Sequence, residues 1–510
     1  MRNLRNKSFL ILLMFVALIF SVTPMGVFAS SSTTYTYALD DQHHYVQTQD
    51  AYLPGQTITN LYMKNPTDIA IDEQDRLVIA DSGNQRVIVY DPISGEIVLQ
   101  IDNDYLSTLN PADFGLDPDL YGPEVGKKAF ATFELPSGVF VVREASGYLG
   151  LGDIYVADPV ATTVYHFDKD GNLLELFQKP DAVMYESSDF EPEKVAVDKA
   201  GIMYIVSKGT SDGIVQLSNT GVFLGFFSSN TVNLTLREQI QKLIYSDEQL
   251  ENLGINLIPP VFTSVFIDLE NHVYSSSSGI KVENLKKHNT QGANMLADIW
   301  ISDSHLSDLY VDNLGIIYTA DQGGWIDVYT NDGEFIYSFG TTSDLSIAGF
   351  FKTLAGIAVD ASGQIWTVDS GNSYLQSFLP TEYAQTIYSA ITHYNNEEYE
   401  IAIEEWQQVL SLNQLSILAH NGIAKNYLQT YEYQLAADHF KIAGNRDQYS
   451  DAFWEIRNMW LQANLIWIIA VTFVVTVSYF ILKLVDRKHK IFDPLRRVVQ
   501  KTESVRLISD

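Results

Sequence analysis

A Gly-x-Ser-x-Gly motif is the most direct candidate for chemistry in this sequence of 510 residues. It runs from Gly209 to Gly213 and would make Ser211 a catalytic nucleophile. In a nucleophile elbow, the serine sits on a sharp turn between a strand and a helix. Here the strand-like segments "MYIVS" and "IVQL" flank the motif, so a hairpin between two strands is expected. We therefore expect no catalysis at Ser211.

Candidate metal ligands are scattered along the chain. The segment "DKDGN" from Asp168 begins like a calcium loop, but Leu173 occupies the sixth position, where an EF-hand needs glycine. None of the ten histidines has His-Glu-x-x-His spacing. Asp303 and His305 form one pair, which does not make a site. No catalytic or cofactor-binding residue is predicted, a divalent metal such as Ca²⁺ stays open, and the binding residues are unknown.

Aspartates that recur at the ends of short aliphatic strands are a further candidate set. The segments "PTDIAID", "PEKVAVD", "TSVFID", "LSDLYVD" and "LAGIAVD" each end in one, and a turn and a second aliphatic strand follow. Because each copy carries one aspartate at a strand end, we expect these carboxylates to fix the turn rather than to perform catalysis. They are Asp72, Asp198, Asp268, Asp312 and Asp360.

The elements around these aspartates form a repeat. Most copies continue into a third strand, a polar turn with glycine and a fourth strand, as in "VYHFDKDGNLLELF". A sixth, degenerate copy begins at Pro136. Each unit is a four-stranded antiparallel meander of about 40 residues, a period typical of β-propellers. The predicted fold is therefore mainly β, a six-bladed β-propeller followed by a helical segment and one transmembrane helix.

Several units resemble NHL repeats. The segments that carry this resemblance are "NPTDIAIDEQDRLVIADSGNQRVIVYD", "GDIYVADPVATTVYHFDKDGN" and "IYTADQGGWIDVYTNDGEF". The resemblance covers residues 43–380 and implies a six-bladed propeller. It also implies a binding function, because NHL proteins mostly bind proteins, RNA or sugars. A few propellers of related shape are metal-dependent lactonases or lyases.

Two segments depart from the repeat. The sixth unit lacks an outer strand, and the segment from His43 to Leu53 is expected to supply it and close the ring. Residues 231–260 interrupt units three and four and are helical in pattern. This insertion is either a packing lid on one propeller face or a partner-binding element. Its apolar residues at helix spacing are Leu236, Ile240, Leu243 and Ile244.

Residues 381–460 change to helical periodicity. Small and aromatic residues recur 34 positions apart, which is the tetratricopeptide (TPR) period, and the segment resembles two such repeats. The alternative is an ordinary helical hairpin stalk. Both interpretations make this segment a neck that holds the propeller near the bilayer. The pairs are Ala390 and Ala424, Tyr399 and Tyr433, Ala402 and Ala436, and Trp406 and Phe440.

The two ends of the chain predict its topology. Residues 1–29 combine a basic head, an apolar run and small residues, as in a secretory signal peptide; the alternative is an uncleaved anchor. Residues 465–485 are apolar over 21 positions, enough to span a bilayer. Residues 486–510 form a basic tail, which marks the cytoplasmic side. The bulk of the chain is expected outside the cell. The absence of cysteine from an exported chain suits a bacterium that does not rely on disulfides.

The net charge of the chain limits the kinds of partner that it can bind. The formal net charge is −31, so the surface repels nucleic acid. This charge either keeps the chain soluble or attracts calcium or a cationic partner. We expect a membrane-anchored extracellular scaffold that binds a protein or glycan without catalysis. The alternatives are a metal-dependent extracellular lactonase or lyase, and an accessory subunit of a membrane transport or cell-wall complex.

Overall fold

The computed structural model describes ten segments of the chain, and these form two compact units. One unit holds the sheets and ends at Gln385; the other is helical and begins at Thr386. Ser211, Asp303 and the predicted signal peptide lie outside the described residues, as does nearly all of the basic tail. The described residues are 35–40, 42–117, 119–122, 130–185, 189–208, 212–230, 234–253, 259–279, 283–296 and 305–489.

The sheet unit is a six-bladed β-propeller. Each blade is an antiparallel sheet; the strands of the first five blades follow one another along the chain, and the sixth blade takes its outer strand from the segment before blade 1. The innermost strand of each blade contacts that of the next, and the sixth contacts the first, so the ring closes. The blades are β4–β7 (Asp68–Ile71, Leu77–Asp81, Arg86–Asp91, Glu96–Asp102), β8–β11 (Gly138–Val141, Ile154–Asp158, Thr163–Phe167, Leu173–Phe177), β12–β15 (Pro192–Val197, Met203–Ser207, Ile214–Leu217, Phe223–Phe227), β16–β18 (Phe262–Ile267, Val273–Ser277, Leu285–His288), β19–β22 (Leu306–Val311, Ile317–Asp321, Trp325–Tyr329, Phe335–Gly340) and β23–β25 (Leu354–Val359, Ile365–Asp369, Tyr374–Pro380) with β3 (Tyr52–Ile58).

Apolar strands explain why these sheets stack around an axis. The second strand of the first blade, "LVIAD", is buried at every position. Strands buried on both faces are apolar throughout rather than alternating. Glycine at positive φ makes the tight turns between strands, as at Gly171 (φ 83°) and Gly201 (φ 79°). The prediction of a six-bladed propeller is confirmed.

The strand that completes blade 6 lies later than the sequence indicates. β3, from Tyr52 to Ile58, pairs antiparallel with β25. Of the predicted segment from His43 to Leu53, only the last two residues belong to β3. Strand β2 (Tyr45–Gln47) instead pairs with β1 (Tyr37–Leu39), which lies beside blade 5. Pro54 and Gly55 resemble strand breakers in sequence, but an outer strand tolerates both residues.

The insertion between blades 3 and 4 contains two short helices. Helix α2 (Leu236–Ile244) follows α1 (Asn103–Leu106) of blade 1, and α3 is Asp247–Asn252. A capping box of Thr235 and Glu238 begins α2. Its four apolar residues are exposed, with Leu243 at 87%, so α2 does not pack as a lid on the described residues. Short 3₁₀ helices lie at Ser82–Asn84, Pro111–Phe114 and Val183–Tyr185.

The second unit is helical. Three of the pairs that recur 34 positions apart are buried, whereas Tyr399 and Tyr433 are half-buried and begin helices. Gly422 leaves room for the ring of Trp406, which a Cβ at that position would strike. The tetratricopeptide assignment stays a prediction. The helices are α4 (Glu382–Asn395), α5 (Tyr399–Leu412), α6 (Ile417–Gln429), α7 (Tyr433–Ile442) and α8 (Arg446–His489).

Helix α8 contains the predicted transmembrane segment. It is long and apolar enough to cross a membrane, and its apolar stretch packs against nothing in the described chain. Residues 465–485 lie inside it.

Candidate functional site at the propeller axis

A ring of six equivalent positions surrounds the propeller axis. Each lies in the innermost strand of its blade, four residues before the strand-end position that Asp72 occupies in blade 1. Each also pairs with the penultimate residue of the second strand, as Asp68 pairs with Ala80. The six residues, in blade order, are Asp68, Gly138, Lys194, Ser264, Asp308 and Gly356.

Three members of this axial ring form a buried ion triad. The Nζ atom of Lys194 lies 2.5 Å from Oδ1 of Asp68 and 3.0 Å from Oδ1 of Asp308. The three side chains come from blades 1, 3 and 5 and are buried. Burial of charge is tolerated where the groups are paired and hydrogen-bonded. One ammonium between two carboxylates leaves the triad with one excess negative charge when all three groups are ionised.

The other three blades each supply a hydrogen bond to the triad. The backbone N–H of Val139 donates to Oδ2 of Asp68 at 2.7 Å, and that of Ile357 donates to Oδ2 of Asp308 at 3.0 Å. The hydroxyl of Ser264 donates to Oδ1 of Asp308 at 2.7 Å. All six blades therefore meet in one network at the axis.

The two glycines of the axial ring allow neighbouring strands to approach. A Cβ on Gly138 would lie 2.9 Å from Cα of Lys194, closer than real Cβ atoms come. A Cβ on Gly356 would lie 3.2 Å from Cα of Asp68. Each glycine also directly precedes the residue whose N–H reaches a carboxylate of the triad. Any other side chain at these positions would push the blades apart.

Burial and charge set the ionisation of the triad. Burial raises the pKa of Asp68 to about 7, even though the attraction of the Lys194 ammonium opposes this shift. Burial would lower the pKa of Lys194, but the attraction of the Asp308 and Asp68 carboxylates outweighs it and raises that pKa above its usual value. Lys194 therefore stays an ammonium at neutral pH.

Arg143 fills the axis beyond the triad. It follows strand β8 of blade 2, and its guanidinium lies 4.9 Å from the ring centre of Phe266 and 5.5 Å from that of Tyr310. The same group donates to the carbonyls of Ile267 at 3.2 Å and Val311 at 3.3 Å. One arginine thus links blade 2 to blades 4 and 5 across the centre.

The space left at the axis is small. The cavity lined by Arg143 and the four axial-ring residues that carry side chains has a volume of about 30 Å³. A single water needs roughly this much room, whereas ligand pockets have volumes of about 300–1,000 Å³. A protonated ammonium has no lone pair and cannot ligate a metal ion. Because Lys194 lies between the two carboxylates, these side chains do not fit a divalent metal.

The recurring strand-end aspartates hold turns. Oδ1 of Asp72 accepts hydrogen bonds from the backbone N–H groups of Gln74 and Arg76, both at 2.9 Å. Backbone N–H groups two or four residues later donate in the same way to the counterparts of Asp72. Asp168, in the calcium-like segment, accepts from the N–H groups of Asp170 and Asn172. These carboxylates are therefore occupied by their own turns.

His305, the described member of the predicted pair with Asp303, does not line the axial cavity. The ring of His305 contacts the hydroxyl of Ser278, 2.6 Å from its Nδ1 atom. Asp268, Glu270 and His272 lie close enough to share an ion, but Asp268 already accepts from the hydroxyl of Tyr274. Asp268 lies in a turn, and this turn brings Glu270 and His272 close to it.

Sequence reasoning missed Asp68, Lys194, Asp308 and Arg143. The first three lie within the repeated strand segments, where a single polar residue has the pattern of an ordinary strand position. A column of Asp, Gly, Lys, Ser, Asp and Gly in strands that are otherwise aliphatic would have indicated them once the copies were aligned. No repeated pattern indicates Arg143, because it occurs in one blade.

Comparisons with known proteins give one family match and several similar solved structures. A family model for the NHL repeat matches residues 63–90, within blade 1. Comparison with curated proteins gives no match. Similar solved structures include catalytically inactive virginiamycin B lyase from Staphylococcus aureus with quinupristin, at 10% identity, over 69% of this chain and 97% of that chain, with a TM-score of 0.37. A streptogramin B lyase has 13% identity over 65% of this chain and 100% of that chain, with a TM-score of 0.38.

Proposed function

We propose that the chain is a non-catalytic binding scaffold, anchored in the membrane and displayed outside the cell, which recruits a protein or glycan. The observation that carries this proposal is the closed axis. Lys194, Asp68 and Asp308 join six blades in one network, and the cavity beside them holds about one water.

A closed axis favours binding over catalysis. A metal-dependent propeller lactonase or lyase would gather carboxylate, amide or imidazole ligands around an axial ion and leave room for substrate. Here an ammonium occupies the position between the carboxylates, and an arginine fills the next layer. A cross-linked ring is a rigid support for surface loops, where binding residues are usually found.

The apolar helix and the flanking charges support the anchored arrangement. Residues 465–485 would span the bilayer as part of α8, and basic residues such as Arg487 and Arg496 follow on the cytoplasmic side. The predicted signal peptide would direct the propeller and the helical neck to the outside. The acidic net charge disfavours nucleic acid as a partner and leaves proteins and glycans.

The exposed helix α2 supports a second candidate function, in which the chain is an accessory subunit of a membrane transport or cell-wall complex. Its apolar residues Leu236, Leu243 and Ile244 are exposed on a helix that no described residue of the propeller covers. Clusters of exposed apolar side chains often mark contact surfaces. In this role the scaffold would hold another subunit rather than a free ligand.

The test combines cross-linking in intact cells with a turnover assay. The full chain is cross-linked by a reagent that does not cross membranes, then purified in detergent and assayed on a panel of lactones with and without divalent ions. A discrete adduct and no metal-dependent turnover would support the scaffold. Turnover that EDTA abolishes would overturn it in favour of the enzyme.

A further inference from the structure

Tyr62 has an unusual position in the loop between β3 and β4. Its backbone φ is 50°, a left-handed conformation that bulky residues rarely adopt. Its side chain is 86% exposed, so packing within the protein does not account for the strain. Strained backbone held by its surroundings is concentrated at functional sites. The residues around Tyr62 are therefore candidates for a functional site.

Two side chains of blade 1 hold this loop in place. Nδ2 of Asn84 donates to the carbonyl of Tyr62 at 3.0 Å, and a guanidinium nitrogen of Arg86 donates to the carbonyl of Leu61 at 2.9 Å. Both side chains are fixed in turn by the buried carboxylate of Asp81, at 2.8 Å and 2.7 Å. The ring of Tyr62 is thus presented to solvent by a rigid support.

Tyr62 borders an open groove lined by amides and carboxylates. The groove has a volume of about 520 Å³, within the range of about 300–1,000 Å³ typical of ligand pockets. Part of its wall is an ordered chain in which Arg86 donates to Gln100 at 2.9 Å and Gln100 donates to Asp102 at 2.7 Å. Among the residues that the structure describes, none hydrogen-bonds the amide of Asn60 or the carboxylate of Asp104, and both line the groove.

The propeller fold does not require this polar wall. Strand register gives Arg86 and Gln100 direct counterparts in other blades. In blade 2 these are Thr163 and Leu176, and in blade 5 the counterpart of Arg86 is Trp325. The polar wall is therefore a feature of blade 1 and not of the repeated strand pattern.

We propose that this groove binds an uncharged oligosaccharide. An exposed aromatic ring can pack against the C–H face of a sugar, while amides and carboxylates exchange hydrogen bonds with its hydroxyls. Asp102 and Asp104 disfavour phosphorylated, sulfated or uronic-acid sugars. Among the described residues that line the groove, Arg86 is the one cation, and it is already paired with Asp81. This proposal rests on the scaffold function and assigns it a ligand class and a site.

The test measures binding of two neutral probes, maltotetraose and the N-acetylglucosamine tetramer, by saturation-transfer NMR and calorimetry. The full chain is kept in a detergent without a sugar headgroup. At least one probe should bind. Tyr62→Ala should weaken binding about tenfold or more, because the ring is lost. Tyr62→Phe should retain it, and Asp104→Asn should weaken it. Tyr148→Ala removes another exposed tyrosine of the propeller and serves as the matched control.

The outcomes separate the groove from the scaffold function. If neither probe binds, or if Tyr62→Ala binds as well as the unmodified chain, the groove is not a glycan site. In both cases the scaffold could still bind a protein, which the cell-surface cross-linking tests independently. Preference for a sulfated competitor over both neutral probes would also overturn the proposal.

Discussion

Lys194 is the residue on which the closed axis depends. Its ammonium is the only cationic group described in the axial ring, and it balances Asp68 and Asp308. A buried pair is weak evidence for net stability, because removing charges from water is unfavourable. Loss of one partner is different, since the remaining charge stays buried without compensation.

Lys194→Met should therefore destabilise the propeller by about 3–5 kcal/mol at neutral pH, since the buried carboxyl groups of Asp68 and Asp308 would lose the ammonium that compensates them. Lys199→Met is the matched control: Lys199 lies five residues later in an exposed pair with Glu144, 2.8 Å away. The control should cost at most about 1 kcal/mol. Urea unfolding followed by tryptophan fluorescence measures both. Equal losses of stability in the two variants would show that the triad contributes no more to stability than an exposed ion pair does.

The pKa of Asp68 gives a dependence of stability on pH. Because burial raises that pKa to about 7, the folded chain binds this proton more readily than the unfolded chain. The stability that Asp68 contributes is present below its unfolded pKa and is lost as pH rises through about 7. From pH 5 to pH 8 the melting temperature should fall, and Asp68→Asn should flatten this fall. Asp170→Asn, at an exposed turn, should leave the fall unchanged. A slope unaltered by Asp68→Asn would contradict the assignment.

At the residue scale, the sequence predicted the turns and missed the axis. Asp72 and its counterparts were recognised because one residue type recurs at one position, and a local turn explains it. The axial ring changes residue type from blade to blade, and its meaning depends on partners more than 100 residues apart, such as Asp68 and Lys194. Only closure of the ring brings these residues together.

The outer strand of blade 6 is the element that joins the two ends of the propeller sequence. In β3, Ile58 faces inward and is 6% exposed, whereas the adjacent Thr57 is exposed. Register with β25 places Ile58 opposite Leu375 and Thr57 opposite Gln376. Substitutions at these two adjacent residues can therefore distinguish a loss of core packing from an effect at the surface.

Ile58→Ala should destabilise the propeller by about 2–4 kcal/mol, through lost burial and a residual cavity. Thr57→Ala should change stability by less than about 0.5 kcal/mol, as is usual at the surface. Thermal unfolding of the two variants measures the difference. If both substitutions were neutral, β3 would not be needed to close the ring.

Sequence reasoning identified the need for a closing strand but placed it too early. The strand-like residues around Tyr45 favoured the earlier segment. Pro54 and Gly55 made the segment that forms the closing strand look unlike a strand. Helix α2 was predicted in the correct segment, because its helical periodicity is a local property. Local patterns indicated which elements exist, whereas pairing between distant segments decided where they lie.

At the scale of the whole molecule, the proposed topology places the propeller and the tail on opposite sides of a membrane. The chain contains no cysteine, so single cysteines can report topology without a background. Asp170→Cys lies on an exposed turn of blade 2, and Ser504→Cys lies in the basic tail.

A maleimide that cannot cross membranes should label Asp170→Cys in intact cells, because the propeller is outside. It should label Ser504→Cys only after permeabilisation, because basic residues stay on the cytoplasmic side. Gel-shift quantification of the label measures both. Labelling of Ser504→Cys in intact cells, with Asp170→Cys protected, would reverse the proposed topology.

The most direct test of the closed axis is metal analysis of the purified full chain in detergent, with thermal unfolding in calcium and in EDTA. We predict no stoichiometric divalent ion and the same melting temperature in both conditions, because the Lys194 ammonium already lies between the two carboxylates. One tightly held divalent ion per chain, with a lower melting temperature in EDTA, would contradict the scaffold and support a metal-dependent enzyme.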